Sequence, residues 1–301
     1  MKCRMCKERE AVIHLKRHKL SVCEKCYVAF FERQVERGIE QYKMFKSDEK
    51  IGVCISGGKD GNVLLYILKK MSYDVVGIHI NLGIGEYSKK CEEIVNELGK
   101  KYKIAIECFD LKNNLGYSLD EIVKKIKIRK NKPCSICSLI KRYLFNKIAF
   151  ERNLDVLATG HNMDDEIAFI FSNILKWDLA ALSRNKVVLE GKEKLVKKVK
   201  PLFRLTDEEV RMYAKICGIP FLKEKCPYEK GATSIFYKKI WEKMEKEKPG
   251  IKASFYFTFL KKIDKFDAFS EDVELKACKI CGYPTTREVC SFCKLMERLK
   301  D

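Results

Sequence analysis

The sequence predicts an α/β protein with a doubly wound parallel sheet and a zinc-binding module at each end. Strand-like and helix-like segments alternate from residue 51 to residue 175, a pattern typical of such sheets. A glycine-rich turn joins the first strand to the first helix, and paired cysteines lie near both termini. We therefore expect an N-terminal zinc-binding module at 1–30, a central domain with its linker helix at 31–270 and a C-terminal zinc ribbon at 271–301.

The alternating segments define the central sheet in chain order. A helix-like segment at 27–46 is predicted to link the first module to the sheet. The segments that follow are predicted as strands at 51–56, 74–82, 104–111 and 155–160, with helices at 62–71, 90–102, 144–153 and 166–175. Sheets of this kind bind ligands at the carboxyl ends of their strands, so we expect the site there.

Two helical segments follow the sheet. In the first, Thr206 fits an N-cap, Glu209 completes a capping box and Gly218 ends the helix before Pro220. The second, at 234–266, is predicted to be helical with an aromatic and basic face.

The composition favours a folded, nucleic-acid-binding protein of the cytosol. Hydrophobic residues make up 46% of the 301 residues, which is enough for a packed core. No apolar run is long enough to span a membrane, and the N-terminus lacks the apolar core of a signal peptide. The 61 basic residues exceed the 42 acidic ones, giving a net charge of +19 that indicates a polyanionic partner. A Lys/Glu-rich surface of the thermophile kind would explain the abundance of charge but not its imbalance.

Eleven of the 15 cysteines fall into spaced groups, and eight of these form the two terminal modules. The modules read C-x2-C-x16-C-x2-C and C-x2-C-x8-C-x2-C. Four thiolates complete the tetrahedron of a structural zinc ion and leave no position for water; redox-active pairs are the alternative. The sets are Cys3, Cys6, Cys23 and Cys26, then Cys278, Cys281, Cys290 and Cys293. The single cysteines, expected to be buried as small apolar residues, are Cys54, Cys91, Cys108 and Cys217.

Three further cysteines lie in the central domain. Cys134 and Cys137 begin a predicted helix after Pro133, and Cys226 lies far along the chain, just before a proline. Three thiolates leave three interpretations open. They could form a zinc site completed by His161, an iron–sulfur cluster with one iron free of protein ligand, or a disulfide or persulfide pair for sulfur transfer.

The glycine turn at residues 56–60, Ser-Gly-Gly-Lys-Asp, has the elements of a phosphate site. It matches neither G-x4-G-K-[ST] nor G-x-G-x-x-G. Its glycines let backbone N–H groups approach an anion, and the following helix N-terminus adds a partial positive charge. An ordinary α/β turn is the alternative.

Together, SGGKD and TGHNMDDE (159–166) resemble the PP-loop of the ATP pyrophosphatases, whose fold is HUP-like. Four further segments are similar to the tRNA 2-thiouridine synthetases of the TtcA/TtuA group, closest to the TtuA branch. These segments are NLGIGEYS, KPCSICSLIKRY, PLFRL and CPYEKGATS. The resemblance covers nearly the whole chain with its motifs in the right order. One departure is Gly61, where the group has serine or threonine.

The resemblance implies an enzyme that uses ATP and Mg²⁺ to adenylate the C2 oxygen of a tRNA uridine, which sulfur then replaces. The ATP site would comprise Ser56, Gly57, Gly58, Lys59, Asp60, His79, Gly160 and Asp165. The catalytic residues would be Lys59, Asp60, Lys141 and Asp165. A 4Fe–4S cluster is implied on Cys134, Cys137 and Cys226, with sulfide on its open iron. Because Lys141 follows Cys137 by one helical turn, it is expected on the cluster's face.

The same resemblance implies tRNA as partner. The lysine-rich stretches 124–132 and 184–200 are candidates for phosphate contacts. The TtuA-like segments favour the T-loop uridine at position 54. Cys26 is instead typical of the branch that modifies the wobble uridine at position 34. The sulfur donor, a ubiquitin-like thiocarboxylate protein or free sulfide, stays open, and a homodimer is the expectation of the group.

Two other functions compete with thiolation. One is a different PP-loop activity, such as amidation or lysidine-type ligation, against which the three central cysteines argue. The other is a non-catalytic zinc-ribbon RNA-binding protein with a decayed loop. The complete HNMDD segment and the central cysteines argue against decay.

Overall fold

The computed structural model describes residues 1–126, 133–229, 231–269 and 274–300. The strands are β1 Ile13–Leu15, β2 Leu20–Val22, β3 Ile51–Ile55, β4 Val75–Asn81, β5 Ile106–Asp110, β6 Val156–Thr159, β7 Val188–Leu189, β8 Lys197–Val199, β9 Lys276–Ala277 and β10 Pro284–Thr285. The α-helices are α1 Glu24–Gln41, α2 Lys59–Lys70, α3 Gly85–Tyr102, α4 Leu111–Leu115, α5 Leu119–Lys125, α6 Pro133–Glu151, α7 Met163–Ile174, α8 Leu179–Ser183, α9 Asp207–Ile216, α10 Thr233–Glu247, α11 Ile251–Lys262 and α12 Ser291–Glu297.

The central sheet has six strands in the order β5-β4-β3-β6-β8-β7. Every neighbouring pair is parallel except β7 with β8. The chain moves outward from β3 through β4 to β5 and then returns to place β6 on the other side of β3. The crevice between β3 and β6 is therefore the topological switch point, where ligands bind in open sheets of this type. The predicted doubly wound parallel sheet is confirmed.

Two apolar cores cover the faces of this sheet. Val53 and Ile55 of β3 belong to one core, whereas Ile78 of β4 and Leu157 of β6 belong to the other. Successive strand residues point to opposite faces, which is why apolar residues run almost continuously through β3 and β4. Within the described part of the chain, no helix combines the length and apolarity that a membrane crossing needs.

The N-terminal module docks on α9 through a buried ion pair. The Arg17 guanidinium donates to both carboxylate oxygens of Glu209, at 2.9 and 2.7 Å, and to the Arg204 carbonyl at 3.0 Å. Its side chain is 8% exposed and that of Glu209 is 7% exposed. The Tyr27 hydroxyl from α1 donates to the Glu209 carbonyl at 2.6 Å. The side chain of Glu209 also completes the predicted capping box with Thr206.

The C-terminal module docks on α6. The Tyr143 ring of α6 stacks on Phe292 of α12 with centroids 3.8 Å apart. The Tyr117 hydroxyl donates to the Leu299 carbonyl at 3.0 Å, and the Lys125 ammonium donates to the same oxygen. The C-terminal module therefore packs against α6, the helix that carries two of the central cysteines.

The structure departs from the sequence prediction at several elements. The predicted helix at 234–266 is two helices, because Pro249 and Gly250 interrupt it and Gly250 adopts a φ of +94°. The predicted helix at 144–153 is the second half of α6, which begins at Pro133 as expected for the cysteine pair. Strands β7 and β8 were not predicted, because their two and three residues are too short for a periodic signal.

Replacing Arg17 with Met is expected to lower the free energy of unfolding by about 3–5 kcal/mol, because Glu209 would stay buried without its guanidinium. Denaturant titration measures the change. The control is Arg211→Met, which removes an ion pair with Asp207. The side chain of Arg211 is 50% exposed and that of Asp207 is 33% exposed. That change should cost about 0–1 kcal/mol. Equal losses in the two variants would contradict a special role for the buried pair.

Candidate functional site

Two backbone turns meet at the switch point. The glycine turn follows β3 and the Gly160-His161-Asn162 turn follows β6. A Cβ atom on Gly160 would lie 2.7 Å from the Gly61 nitrogen and 2.8 Å from the Asp60 carbonyl carbon. Gly57 has a φ of +77°, and its Cβ would meet the Cys91 backbone at 3.0 Å. Glycine at 160 and 57 is thus required by close backbone approach and, at 57, also by a left-handed conformation.

The Asn162 side chain joins the two turns. Its amide oxygen caps α7 by accepting from the nitrogens of Asp164 and Asp165, at 2.9 and 3.2 Å. Its amide nitrogen donates to Asp60 Oδ1 at 3.0 Å. The residue is completely buried. One side chain therefore fixes both the start of α7 and the carboxylate of the glycine turn.

The start of α2 is suited to an anion. Gly58 is its N-cap and, having no side chain, makes no capping hydrogen bond to the first turn. The amide N–H groups of a first helical turn have no partner within the helix, and the helix dipole favours negative charge there. The sequence-predicted residues Ser56, Gly57 and Gly58 form the turn that leads into this helix end.

Lys59 is held between two carboxylates. Its ammonium lies 2.8 Å from Asp60 Oδ2 and 2.5 Å from Asp207 Oδ1. Burial lowers the pKa of Lys59, but Asp60 and Asp207 raise it above its ordinary value, so the side chain stays charged. Burial raises the pKa of Asp60, and Lys59 opposes that shift only in part. Asp207, at the first position of α9, was missed in the sequence analysis.

The three acidic residues after Asn162 each contact a lysine from outside the motif. Asp165 Oδ1 lies 2.5 Å from Lys238 Nζ, Glu166 Oε2 lies 2.6 Å from Lys200 Nζ, and buried Asp164 pairs with buried Lys252. Burial raises the pKa of Asp165, but Lys238 and then His161 bring it below its ordinary value. The lysines Lys200, Lys238 and Lys252 were not singled out from sequence. Nothing distinguishes them among the other lysines of this basic chain.

The lack of a side chain at position 61 has a steric explanation in this chain. A Cβ on Gly61 would lie 2.8 Å from the Cys54 carbonyl oxygen and 3.2 Å from Ile55 Cα. The first turn of α2 is therefore packed directly on the end of β3. A serine or threonine, as in the related group, needs more room between this helix and strand than the structure leaves.

His79 lies in β4 beside the glycine turn. It is 2% exposed, and its Nδ1 lies 3.4 Å from the Ile55 carbonyl of β3. Its Nε2 has no hydrogen-bond partner among the described residues. Burial lowers its pKa, so the ring is neutral near pH 7. A neutral ring with one open nitrogen fits a ligand contact at this edge of the sheet.

A strap formed by residues 219–229 connects the glycine turn to the central cysteines. The Asn62 side chain donates to the Pro220 carbonyl at 2.8 Å, and the Leu222 N–H donates to the Gly57 carbonyl at 2.9 Å. Further along, the Cys134 thiol contacts the Tyr228 carbonyl at 3.1 Å. The strap thus crosses the glycine turn and then reaches the start of α6.

The central cysteines and Lys141 are neighbours. Burial raises the pKa of the Cys137 thiol, while Lys141 lowers it and the Cys226 and Cys134 thiols raise it further. The ammonium of Lys141 also acts on the pKa of His79. Lys141 is therefore near enough to act electrostatically on both the cysteine pair of α6 and His79 of β4.

The terminal cysteines form two compact groups. Among the described residues, the only clusters of three or more metal-ligating side chains with ligand atoms within 4.8 Å of one another are these two sets of four cysteines. The Cys6 and Cys23 sulfurs are 4.0 Å apart, and those of Cys281 and Cys290 are 3.8 Å apart. Sulfurs at 2.3 Å from one tetrahedral ion are separated by about 3.8 Å, so both groups fit a single metal ion.

A third zinc site with His161 has no support in the structure. The side chain of His161 is 55% exposed, and its Nδ1 lies 3.7 Å from Glu166 Oε1. In the part of the chain that the structure describes, Cys134, Cys137 and Cys226 do not form a group of single-ion dimensions.

The two lysine-rich stretches differ in how much of each the structure describes and exposes. In 124–132, residues 127–132 lie outside the described residues. In 184–200, Lys192 and Lys194 are exposed, whereas Lys200 is paired with Glu166. Only part of the second stretch is therefore available to a polyanion.

The fold and the site define an open α/β sheet whose glycine turn, suited to an anion, lies at the switch point. Residues 30–230 match the family model described as PP-loop domain. The chain belongs to the PP-loop family, as the two motifs predict.

Its relatives narrow the class to tRNA sulfurtransferases. The chain is 42% identical to the tRNA-5-methyluridine(54) 2-sulfurtransferase of Pyrococcus horikoshii, across 98% of this chain and 93% of the relative. The enzyme of the same name from Thermotoga maritima is 39% identical, with 100% and 97% covered. The solved structure of the U34-tRNA thiolase NcsA from Methanococcus maripaludis with its [4Fe-4S] cluster aligns with a TM-score of 0.83 and 28% identity, covering 99% of this chain and 96% of that one. The resemblance to the tRNA 2-thiouridine synthetases is confirmed.

Replacing Gly61 with Ala is expected to lower the free energy of unfolding by about 1–3 kcal/mol, because the new Cβ overpacks the contact with Cys54. Thermal and denaturant unfolding measure the effect. Gly58→Ala is the comparison for stability: the nearest atom to its Cβ would be 3.8 Å away, so it should show only the smaller cost of alanine at an N-cap. Wild-type stability in the Gly61 variant would show that α2 and β3 separate easily at this point.

Proposed function

We propose that this protein is an ATP-dependent tRNA 2-sulfurtransferase that acts on the uridine at position 54 of the T-loop. The observation that carries the proposal is the strap at 219–229. It hydrogen-bonds to the glycine turn and also brings Cys226 to the cysteines of α6. Replacing oxygen by sulfur in two steps requires that the site that activates the base lies next to the site that holds the thiols.

Position 54 is favoured over position 34 by the relatives. Those at 42%, 39% and 38% identity are all named for position 54, whereas the thiolase named for U34 is 28% identical. Cys26, which is typical of the wobble branch, completes a four-cysteine group here. The net charge of +19 suits a tRNA substrate.

The reaction balances as two displacements. The uridine C2 oxygen attacks the α-phosphorus of ATP, a P–O bond forms, and pyrophosphate leaves. Sulfide then attacks C2, and the C–O bond breaks so that the oxygen leaves in AMP. Base, ATP and sulfide thus give the 2-thio base, AMP and pyrophosphate, with no change of oxidation state at sulfur.

The nucleotide would bind at the glycine turn. The amides of Gly57, Gly58 and the first turn of α2 meet the phosphates, with Ser56 and Lys59 beside them. Asp165 helps to raise the pKa of Asp60, so the two carboxylates are neighbours. Carboxylate oxygens are suitable ligands for Mg²⁺. His79 and Gly160 border this space: His79 offers its open Nε2, and Gly160 allows the two turns to meet.

A 4Fe–4S cluster would be held by Cys134, Cys137 and Cys226. In such a cluster each thiolate would bind its own iron, so the three sulfurs would be wider apart than around a single metal ion. This agrees with the described residues, in which the three cysteines do not form a group small enough for one ion. The cluster, when bound, supplies an iron without a protein ligand at which sulfide is held. The Lys141 ammonium stabilises negative charge that develops on the base and phosphate between the two sites.

The remaining assignments follow from the same proposal. Each terminal group of four cysteines holds one structural Zn²⁺. We place the enzyme in the cytosol, as the name "Cytoplasmic tRNA 2-thiolation protein 1" of a relative from Arabidopsis thaliana indicates for that protein. The homodimer and the sulfur donor, a ubiquitin-like thiocarboxylate protein or free sulfide, stay predictions.

The proposed activity is tested anaerobically. Cluster-loaded protein is incubated with Mg-ATP, sulfide and tRNA that lacks sulfur but carries 5-methyluridine at position 54, the base for which the relatives are named. The thiolated nucleoside is mapped by mass spectrometry after RNase digestion. Sulfur at position 54 is the expected result. Sulfur at position 34 would correct the target base. No sulfur in any tRNA from a protein with an intact cluster, with sulfide and also with a ubiquitin-like thiocarboxylate protein as donor, would contradict the activity.

The role of Cys226 is tested with a matched pair of variants. Cys226→Ser is expected to abolish thiolation and to lower the iron content after anaerobic reconstitution, because one of three thiolate ligands is lost. Cys217→Ser changes a cysteine at the end of α9, away from the cluster, and should retain both iron and activity. Full iron content in Cys226→Ser would exclude this residue as a ligand.

Metal analysis tests the terminal modules. The purified protein is expected to contain two zinc ions per chain. Cys281→Ser should retain one of them and unfold at a lower temperature, because structural zinc contributes directly to folding. Cys108→Ser is the control, because Cys108 is exposed; the expectation that it is buried was wrong. Two zinc ions retained in Cys281→Ser would contradict its place in a site.

A further inference from the structure

Helix α10 contributes a lysine to the site from outside every motif. Lys238 Nζ lies 2.5 Å from Asp165 Oδ1, and the two side chains are 28% and 30% exposed. The neighbouring ring of Tyr237 packs edge-on against Phe171 of α7 at 5.4 Å, and buried Trp241 packs against the same ring at 5.8 Å. Residues one before and one turn after Lys238 thus anchor α10 on α7. The ammonium is presented to Asp165 by a rigid contact.

The charges around Lys238 are already balanced within the protein. Three carboxylates and three cationic side chains lie at this edge of the sheet: Asp60, Asp165 and Asp207 with Lys59, Lys238 and Arg211. Burial lowers the pKa of Lys238, but Asp165, and after it Asp207 and Asp60, raise it above its ordinary value. A metal ion therefore has no unpaired carboxylate waiting for it in this group. A divalent ion that binds Asp165 must compete with the lysine already on that carboxylate.

We propose that Lys238 is a further nucleotide-binding residue of this enzyme. Its ammonium holds Asp165 before the metal arrives, gives up that carboxylate when Mg²⁺ binds, and then pairs with the phosphates of the nucleotide. This inference rests on the proposed function, in which Asp165 is a Mg²⁺ ligand. The long, flexible lysine stem allows the ammonium to move between two anions while the helix stays in place.

If Mg²⁺ displaces Lys238 from Asp165, removing the lysine ammonium should change the affinities for metal and for nucleotide in opposite directions. Removing the ammonium removes a competitor from Asp165, so the metal alone should bind more tightly. The phosphates lose a cation, so the nucleotide should bind more weakly. A lysine that only maintains the structure would weaken both kinds of binding, or neither.

The test uses cluster-loaded protein with Lys238→Met, which retains the apolar stem, and Lys238→Arg, which retains the charge. Mn²⁺ is the metal probe, and the loss of its free EPR signal measures binding without nucleotide. Equilibrium binding of ATP is then measured at saturating Mg²⁺. In Lys238→Met we expect roughly tenfold tighter Mn²⁺ binding and roughly tenfold weaker ATP binding, the scale of one ion pair in a partly buried site. Lys238→Arg should lie close to wild type in both measurements.

Two controls separate the outcomes. Lys239→Met changes an exposed lysine on the same helix and should leave both affinities unchanged. Asp165→Asn should weaken Mn²⁺ binding; if it does not, the metal assignment of the proposed function is wrong, and the inference about Lys238 falls with it. If Asp165→Asn weakens Mn²⁺ binding but Lys238→Met does not strengthen it, or if Lys238→Met leaves ATP binding unchanged, the inference about Lys238 alone is overturned.

Discussion

The hydrogen bond from Asn162 to Asp60 is the interaction on which the rest of the site depends. It joins the turn after β3 to the turn after β6 where the sheet reverses its strand order. It forms only because Gly160 lets the two backbones meet at a distance that excludes a Cβ atom. The same amide caps α7 and so fixes the acidic residues that follow. A parallel sheet brings these turns to one edge, and a single buried side chain sets their mutual geometry.

Charge balance is the second constraint. Buried carboxylates are strongly destabilising unless they are paired, and each acidic residue of the motif contacts a lysine. Lys252 and Lys200 are themselves mostly buried and act as permanent partners for Asp164 and Glu166. Lys238 is 28% exposed and is therefore on the more open side, where a nucleotide and its metal would enter. The site therefore separates into an inner layer that maintains the fold and an outer layer that can exchange partners.

The sequence predicts those features of the structure that depend on residues close together in the chain. The strands β3 to β6, the glycine turn and the capping box of Thr206 with Glu209 depend on neighbouring residues, and the structure contains them as predicted. The lysine partners depend on contacts between residues 34 to 88 positions apart, which no local pattern encodes. The strap was visible only as a cysteine before a proline, because its contacts with Asn62, Gly57 and Cys134 are made by its backbone groups, which the side-chain pattern does not encode. The helix break at Gly250 was signalled by Pro-Gly and was overlooked in favour of the longer periodic pattern.

The central claim is that the nucleotide site and the three-cysteine site adjoin across the strap. Pulsed EPR tests it most directly, with the reduced cluster as one spin and Mn²⁺ bound with a non-hydrolysable ATP analogue as the other. The Mg²⁺ complex of the same analogue is the diamagnetic reference. We predict that the Mn²⁺ complex markedly speeds the relaxation of the cluster signal, because two close spins couple. Equal relaxation with Mn²⁺ and Mg²⁺ at saturating analogue would contradict the claim that the two sites share one substrate base.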